Sequence, residues 1–394
     1  MRTTISWENI PEEPFEQLPN GLCTYDFFRA WEFVNRLVDS AVVDVLERLG
    51  VGRDRIDQLL TLSDEDSATA VANVAREVGV ASELNGCFLW LFDWLRDERR
   101  VLGDLGSEFG GDGTVHSIVE FGALASAAVR EVPPLAPSVE LIALAAAQYP
   151  EFLKGERDGK AILFAADSFP MWERYFSNDH EINHALNLLG AHVAERLVDG
   201  DNLEVLEIGG GLGSAAELLL RRLGGQVKHY WFTDVHPGFL RRGRELLTER
   251  FPDQTFHCAL VDINRRFGDQ RVDQRFDLVY GVNVLHLALD LPAALSNVKD
   301  VVAEDGVAVF VEGMRPHSKT PIATEFVFQL LAEFRNVTLD AATRPNAGFL
   351  TAQYWCRALE RAGFVDVEFI PDPDPAIAAY PNLAMGAFFG RMPL

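Results

Sequence analysis

Residues 203–213, LEVLEIGGGLG, restrict the folding options of this chain more than any other stretch. Leu203 to Ile208 is an apolar run of strand length. It passes straight into Gly209-Gly210-Gly211-Leu212-Gly213, and a helical pattern follows to about Leu223. Glycines at such a turn adopt backbone angles closed to other residues and let a ligand come close. In a doubly wound sheet the ligand binds beyond the carboxyl ends of the strands, at the first strand-to-helix turn. The alternation continues. Val227–Phe232, Thr255–Val261, Leu278–Val282 and Val307–Val311 read as strands separated by helical segments such as 237–250. Strand–helix alternation predicts a parallel sheet with helices on both faces. Val365–Ile370 and Leu383–Phe389 predict an antiparallel pair at one edge. The expected class is α/β, Rossmann-like and seven-stranded, with the seventh strand inserted antiparallel.

Before residue 200 the texture is helical. Phe27–Leu49 has apolar residues at helical spacing and stops at Gly50; Ala68–Val78 ends at Gly79. Glu83–Leu95 is unusually rich in large rings: Phe88, Trp90, Phe92 and Trp94. This succession suggests a winged-helix-like arrangement. A DNA-reading third helix would carry Arg, Lys, Asn and Gln, not tryptophan and phenylalanine. Thirty-five Lys and Arg against 59 Asp and Glu give a net charge of −24, which repels a phosphate backbone. Nucleic acid is therefore not an expected partner. No stretch approaches the ~18 uninterrupted apolar residues of a membrane span, since Glu140 breaks the longest candidate. The polar, acidic start is unlike a signal peptide. The four cysteines lack metal-ligand spacing and read as reduced thiols, so a cytoplasmic protein is expected. The expected organisation is a helical N-terminal domain over 1–165, connecting helices over 166–200 and the sheet domain over 201–394.

The spacing of the glycines separates two cofactor classes. A nicotinamide fingerprint needs G-x-G-x-x-G, but Ser214 stands three beyond Gly211. The pattern from Glu207 to Gly213 is E-x-G-x-G-x-G instead. On that strand it resembles motif I of the class I S-adenosylmethionine (SAM)-dependent methyltransferases, and the resemblance extends over Leu203–Arg391. The resemblance implies SAM as cofactor and assigns roles. Backbone N–H groups at Gly209, Gly211 and Gly213 meet the amino-acid end, with Glu207 acting from beneath the turn. Asp234 takes both ribose hydroxyls, and Asp262 accepts from the adenine amino group. Asp305-Gly306 stands where the family more often has Pro-Gly.

A second pattern competes. His180-Glu181-Ile182-Asn183-His184 is literally H-E-x-x-H, in which two imidazoles on one helical face chelate zinc and the Glu serves as base. A metalloprotease also needs a third ligand and a cleft built around that helix. Here the helix immediately precedes the glycine-rich strand, so ordinary helix residues with one His near an acceptor pocket are the preferred reading. No metal ligand is assigned.

A narrower likeness covers about residues 170–315. MWERYFSNDHEINHALNLLGAHVAERL, FTDVHPGFLRRGREL and GVNVLHLALDLPAALSNVKDVVAEDGVAVFVEGM resemble the C-methyltransferase domains of polyketide synthases. Those domains carry a Tyr ahead of motif I, a His in an N-V-L-H turn and a Glu ending strand five. Tyr175, Asn283-Val284-Leu285-His286 and Glu312 stand in those places. The resemblance implies His286 and Glu312 as a catalytic dyad with Tyr175 nearby, and Asn283 among the cofactor-binding residues. Its acceptor would be an enolisable, polyketide-like molecule, either a free small molecule or one bound to a carrier protein. Two-domain small-molecule O-methyltransferases share the general organisation, so methylation of a phenolic or enolic oxygen stays open. In that class the helical half commonly mediates dimerisation. The rings of 88–94 with Phe27, Trp31 and Phe33 point to a homodimer interface.

Overall fold

The computed structural model describes residues 10–96, 115, 118–165 and 167–393. Its centre is a seven-stranded sheet: β1 (Leu203–Glu207), β2 (Val227–Asp234), β3 (Thr255–Leu260), β4 (Phe276–Val282), β5 (Val302–Gly313), β6 (Val365–Ile370) and β7 (Met385–Arg391). The order is β3-β2-β1-β4-β5-β7-β6. β1 to β5 pair in parallel, and β7 enters antiparallel between β5 and β6. This is the predicted α/β class with its inverted seventh strand. β5 begins five residues earlier than expected. Val302 pairs with Phe276, the chain then swings out at Asp305 (φ +62°) and Gly306, and pairing resumes at Val307 opposite Leu278. The Asp-Gly turn therefore lies inside the strand rather than ahead of it.

Alternation along the strands assigns the two faces. Leu278, Tyr280, Val309 and Val311 join the core shared with the N-terminal helices. Val279, Ala308 and Phe310 join the core under the helices Leu291–Lys299 and Ala352–Ala362. On the first face the helix Glu181–Leu197 lies across β4, β5 and β7. Gly190 permits that approach, since a Cβ there would come 2.5 Å from the Tyr280 hydroxyl and 2.7 Å from Val311.

The long helix Tyr25–Arg48 starts at Thr24, whose hydroxyl accepts from the Phe27 N–H at 3.1 Å. It packs against Ala136–Leu153, Phe121–Glu131 and Glu181–Leu197, which ties the helical region to the sheet. The helix Asn85–Arg96 removes the observation on which the dimer expectation was built. Phe88, Phe92 and Trp94 are wholly buried within this one chain, as are Phe27 and Phe33, and Trp31 and Trp90 nearly so. Trp90 and Trp94 stack at 5.7 Å; their indoles donate to Glu325 (2.8 Å) and Asp39 (3.0 Å). Burying each such ring contributes roughly 1.5–3 kcal/mol. The rings belong to the chain's own core. Among the described residues no strand precedes Leu203, and the stretch where a wing would follow the third helix lies outside the described residues. No helix among the described residues is long and apolar enough to cross a membrane.

Candidate active site

β1 ends where three glycines turn the chain: Gly209 (φ +68°), Gly211 (φ +56°) and Gly213 (φ +82°), the last being the N-cap of the helix Ser214–Leu223. Two sides of this turn are packed. A Cβ at Gly209 would come 2.6 Å from Val284, and one at Gly210 would overlap the Phe232 ring. Gly211 faces open space. The turn is thus a cradle closed below and open above, a shape that fits the amino-acid end of SAM. Asp234, at the end of β2, is buried, and its carboxylate accepts from the N–H of Gly211 (2.9 Å) and of His236 (2.6 Å). Burial pushes its carboxyl above the ordinary range, against the pull of those donors. The same side chain expected to grip a ribose therefore also holds the glycine turn. Glu207 lies beneath, almost fully buried, accepting from the Tyr230 hydroxyl at 3.0 Å; burial raises its carboxyl to about 8. Asp262 stands just past β3, accepting from the N–H of Asn264 at 2.9 Å and its side-chain amide at 3.0 Å. These three acids end up together because each closes one of three adjacent strands.

The ends of β4 and β5 carry the second group. Asn283 leaves β4 in the left-handed region (φ +53°), its N–H bound to Val311 O at 2.8 Å. The turn it starts wraps around Glu312, which is wholly buried. Glu312 Oε1 accepts from the N–H groups of Val284 (2.8 Å), Leu285 (2.5 Å) and His286 (3.4 Å). Its Oε2 lies 2.7 Å from His286 Nδ1. A carboxylate in that position accepts a proton-bearing Nδ1 and so leaves Nε2 as the basic nitrogen. Nε2 has no protein hydrogen-bond partner among the described residues. Arg344 fastens the turn from the other side, donating to His286 O (2.7 Å) and Ala288 O (2.5 Å). It is fully buried, and burial lowers its guanidinium to about 10, with Glu312 and Asp290 opposing.

A narrow cavity adjoins this turn. Trp31, Tyr175, His180, Asn183, Asn283, Phe328, Phe349 and Met385 are among the residues that line it. Tyr175 ends the helix Phe169–Tyr175, its ring 4.9 Å from that of His180, and burial raises its hydroxyl to about 12. His286 itself does not line the cavity. Its ring lies behind Phe349 (4.7 Å) and Phe328 (6.0 Å), which do. Tyr175 thus lines the cavity, whereas His286 adjoins it only through the Phe328 and Phe349 rings. That phenylalanine layer is held by Glu325, a buried carboxylate gripped by Arg315 through two 2.7 Å bonds and by Trp90.

The H-E-x-x-H segment takes its own geometry. His180 is not on the helical face but is the N-cap, Nδ1 accepting from Asn183 N–H at 3.2 Å. That fixes Nε2 as the protonated nitrogen, donating to Ser138 Oγ at 2.8 Å. Burial lowers the imidazole to about 3. His184 lies a turn inside the helix, and both ring nitrogens of His180 are engaged within the protein.

Comparison with known proteins agrees with the cradle. Residues 206–308 match the family described as "Methyltransferase domain", the stretch that runs from β1 into β5. The chain contains a class I SAM methyltransferase domain. Among curated proteins, the methyltransferase is 27% identical over 263 residues to the highly reducing polyketide synthase verA of Penicillium polonicum, 66% of this chain and 10% of that protein. It is 27% identical over 179 residues to the reducing polyketide synthase ppsB of Aspergillus oryzae, 45% of this chain and 7% of that protein. The chain thus spans about a tenth or less of these relatives. Among solved structures, the CurJ carbon methyltransferase has the same fold (TM-score 0.67, 20% identity), covering 98% of both chains. The DszA carbon methyltransferase (0.66, 19%) covers 92% of this chain and 90% of its own. These likenesses are of fold, and they include the helical region as well as the sheet.

Several residues of the methyltransferase escaped sequence reading. Trp31 lies inside a 24-residue apolar helix and carries no local signal that it reaches a cavity. Arg344 and Phe349 sit in an irregular stretch between β5 and β6, without a motif. Only the folded chain brings them to the His286 turn.

Proposed function

We propose that this methyltransferase transfers the methyl group of SAM to a carbon atom of an enolisable, polyketide-type acceptor, with His286 as base. The observation that carries the reading is the clamp of Glu312 on His286 Nδ1, which leaves Nε2 to receive a proton. The polyketide synthases and the carbon methyltransferases of like fold support the acceptor class.

Bound SAM supplies an electrophilic methyl on a sulfonium. The glycine cradle and Asp234 hold it at the carboxyl ends of β1 and β2, with Glu207 beneath and Asp262 toward the adenine. An acceptor carbon flanked by two carbonyls loses its proton to His286 Nε2, and its electron pair becomes an enolate. Glu312 stabilises the imidazolium through Nδ1–H. Tyr175, the hydroxyl in the cavity wall, donates to an enolate oxygen. With SAM held by the glycine cradle and Asp234, the enolate carbon would take up the methyl group and the S–CH3 electron pair would remain on sulfur. To reach Nε2 the acceptor displaces the Phe328 or Phe349 ring, which also dries the site.

The test is product analysis with methyl-13C-labelled SAM and a β-ketoacyl thioester of N-acetylcysteamine. A labelled carbon in the C–CH3 region of the NMR spectrum, coupled to the α-carbon, supports the reading. A labelled methyl ether overturns it in favour of oxygen transfer.

A further inference from the structure

Trp31 comes from the N-terminal helix Tyr25–Arg48, far in sequence from the glycine cradle, yet it forms part of the cavity wall with Tyr175 and Asn283. Its side chain is 2% exposed. Its indole Nε1, buried from solvent, has no hydrogen-bond acceptor among the described residues. The contrast with its neighbours is informative. Trp90 donates to Glu325, Trp94 to Asp39, Trp172 to Leu163 O and Trp355 to Gly313 O. Buried indoles normally find a partner, because an unmet donor forfeits its hydration. Trp231 Nε1 is also without an acceptor among the described residues, but Trp231 does not line the cavity; Trp31 does, and a ligand oxygen there could meet its N–H. The rest of that wall is chiefly apolar or aromatic: Ile182, Leu186, Phe328, Phe349 and Met385. His180, Asn183, Asn283 and Thr324 complete the polar part of the wall, with His180 and Asn183 already bonded to Ser138 Oγ and Phe176 O.

We propose that Trp31 is a specificity-determining residue whose indole N–H binds one carbonyl oxygen of a 1,3-dicarbonyl acceptor, while Tyr175 serves the other. This rests on the carbon-methylation reading given above. A 1,3-dicarbonyl satisfies both donors. A monoketone satisfies one and leaves the other unmet. The N-terminal helix thereby selects for the second oxygen, the one that makes the intervening carbon acidic. The contact is made in the bound ground state and kept in the transition state, so it is spent on binding rather than on turnover.

The experiment measures Kd by calorimetry in the presence of S-adenosylhomocysteine, with nonane-2,4-dione and nonan-4-one as probes. The parent protein is compared with Trp31→Phe, which keeps an aromatic wall and deletes the N–H. The parent should prefer the diketone by at least ten-fold, and Trp31→Phe should bring the two probes within three-fold. An equal loss for both probes means that Trp31 is only a wall, and the proposal fails. An unchanged preference in Trp31→Phe, or no preference in the parent, also overturns it. Tyr175→Phe provides the second arm: with that donor deleted each probe meets Trp31 alone, so this variant too should bring the two within three-fold, and a parent-like diketone preference in Tyr175→Phe would sink the two-donor assignment. The labelled-methyl assay is separate. A parent that shows the preference but forms a methyl ether refutes carbon transfer while leaving the recognition by Trp31 intact.

Discussion

Glu312→Gln separates the chemical role of the buried carboxylate from its structural one. Glu312 uses one oxygen for three backbone N–H groups and the other for His286 Nδ1. Glutamine has one oxygen. If that oxygen stays with the backbone, the amide NH2 faces Nδ1 and forces it to become the acceptor. The proton then moves to Nε2, and the base is blocked. If the amide turns over, two or more backbone donors lose their acceptor, each at roughly 1–3 kcal/mol. The first arrangement is therefore favoured. Its stability cost is the difference between a charge-assisted hydrogen bond and a neutral one, about 1–2 kcal/mol. Its catalytic cost is the general base, ~10²–10⁴ in rate. Glu312→Gln should keep its fold and the parent affinity for SAM by calorimetry, and lose at least a hundred-fold in kcat with a β-ketoacyl thioester. Glu312→Ala should in addition lose several kcal/mol in urea unfolding, because every donor is left unmet. A Glu312→Gln enzyme within five-fold of parent kcat would refute the dyad.

Asp234→Ala should weaken SAM binding at least ten-fold by calorimetry, since it removes the proposed ribose contacts and frees the Gly211 N–H; parent-like affinity would mean that the second strand does not grip the ribose. The unliganded protein should be most stable on a plateau between about pH 4.5 and 6.5. Glu207, raised to about 8 from 4.5, binds a proton in the fold that the unfolded chain releases, so its contribution falls as pH rises through that window. His180, lowered to about 3 from 6.5, is neutral in the fold while the unfolded chain takes a proton, so stability also falls as pH drops. The two opposing slopes cancel where they overlap. From pH 6.5 to 8 Glu207 alone acts at about 1.4 kcal/mol per unit, so roughly 2 kcal/mol should disappear in urea titrations. Glu207→Gln should flatten that limb, and an identical slope in both proteins would place the titrating group elsewhere.

How far the chain could be read depended on whether the information was local. A strand running into spaced glycines is legible because the backbone angles at Gly209, Gly211 and Gly213 are set within the turn itself. Asp234 and Glu312 were legible for a related reason: each closes a parallel strand, and parallel strands deliver their ends to one edge whatever surrounds them. Residue type and position thus placed these acids, His286 and the glycine turn at the strand ends. The aromatic helix Asn85–Arg96 was legible as buried, but not as buried against what. A ring has the same hydrophobicity whether its cover is a second subunit or the helix carrying Asp39 and the segment carrying Glu325. The phenylalanine layer over His286 and the guanidinium of Arg344 behind it come from residues 328–349, which have no periodicity and no motif. Trp31 reads as one more apolar position of a long helix. Its unmet N–H lies in a residue whose cavity is walled by segments far apart in the chain. The sequence by itself determined the sheet, the turn and the chemistry at the strand ends, since these depend on neighbours a few residues away. Tertiary packing alone decided which side chains wall the acceptor cavity, because burial and hydrogen-bond satisfaction are properties of contacts between segments far apart in the chain.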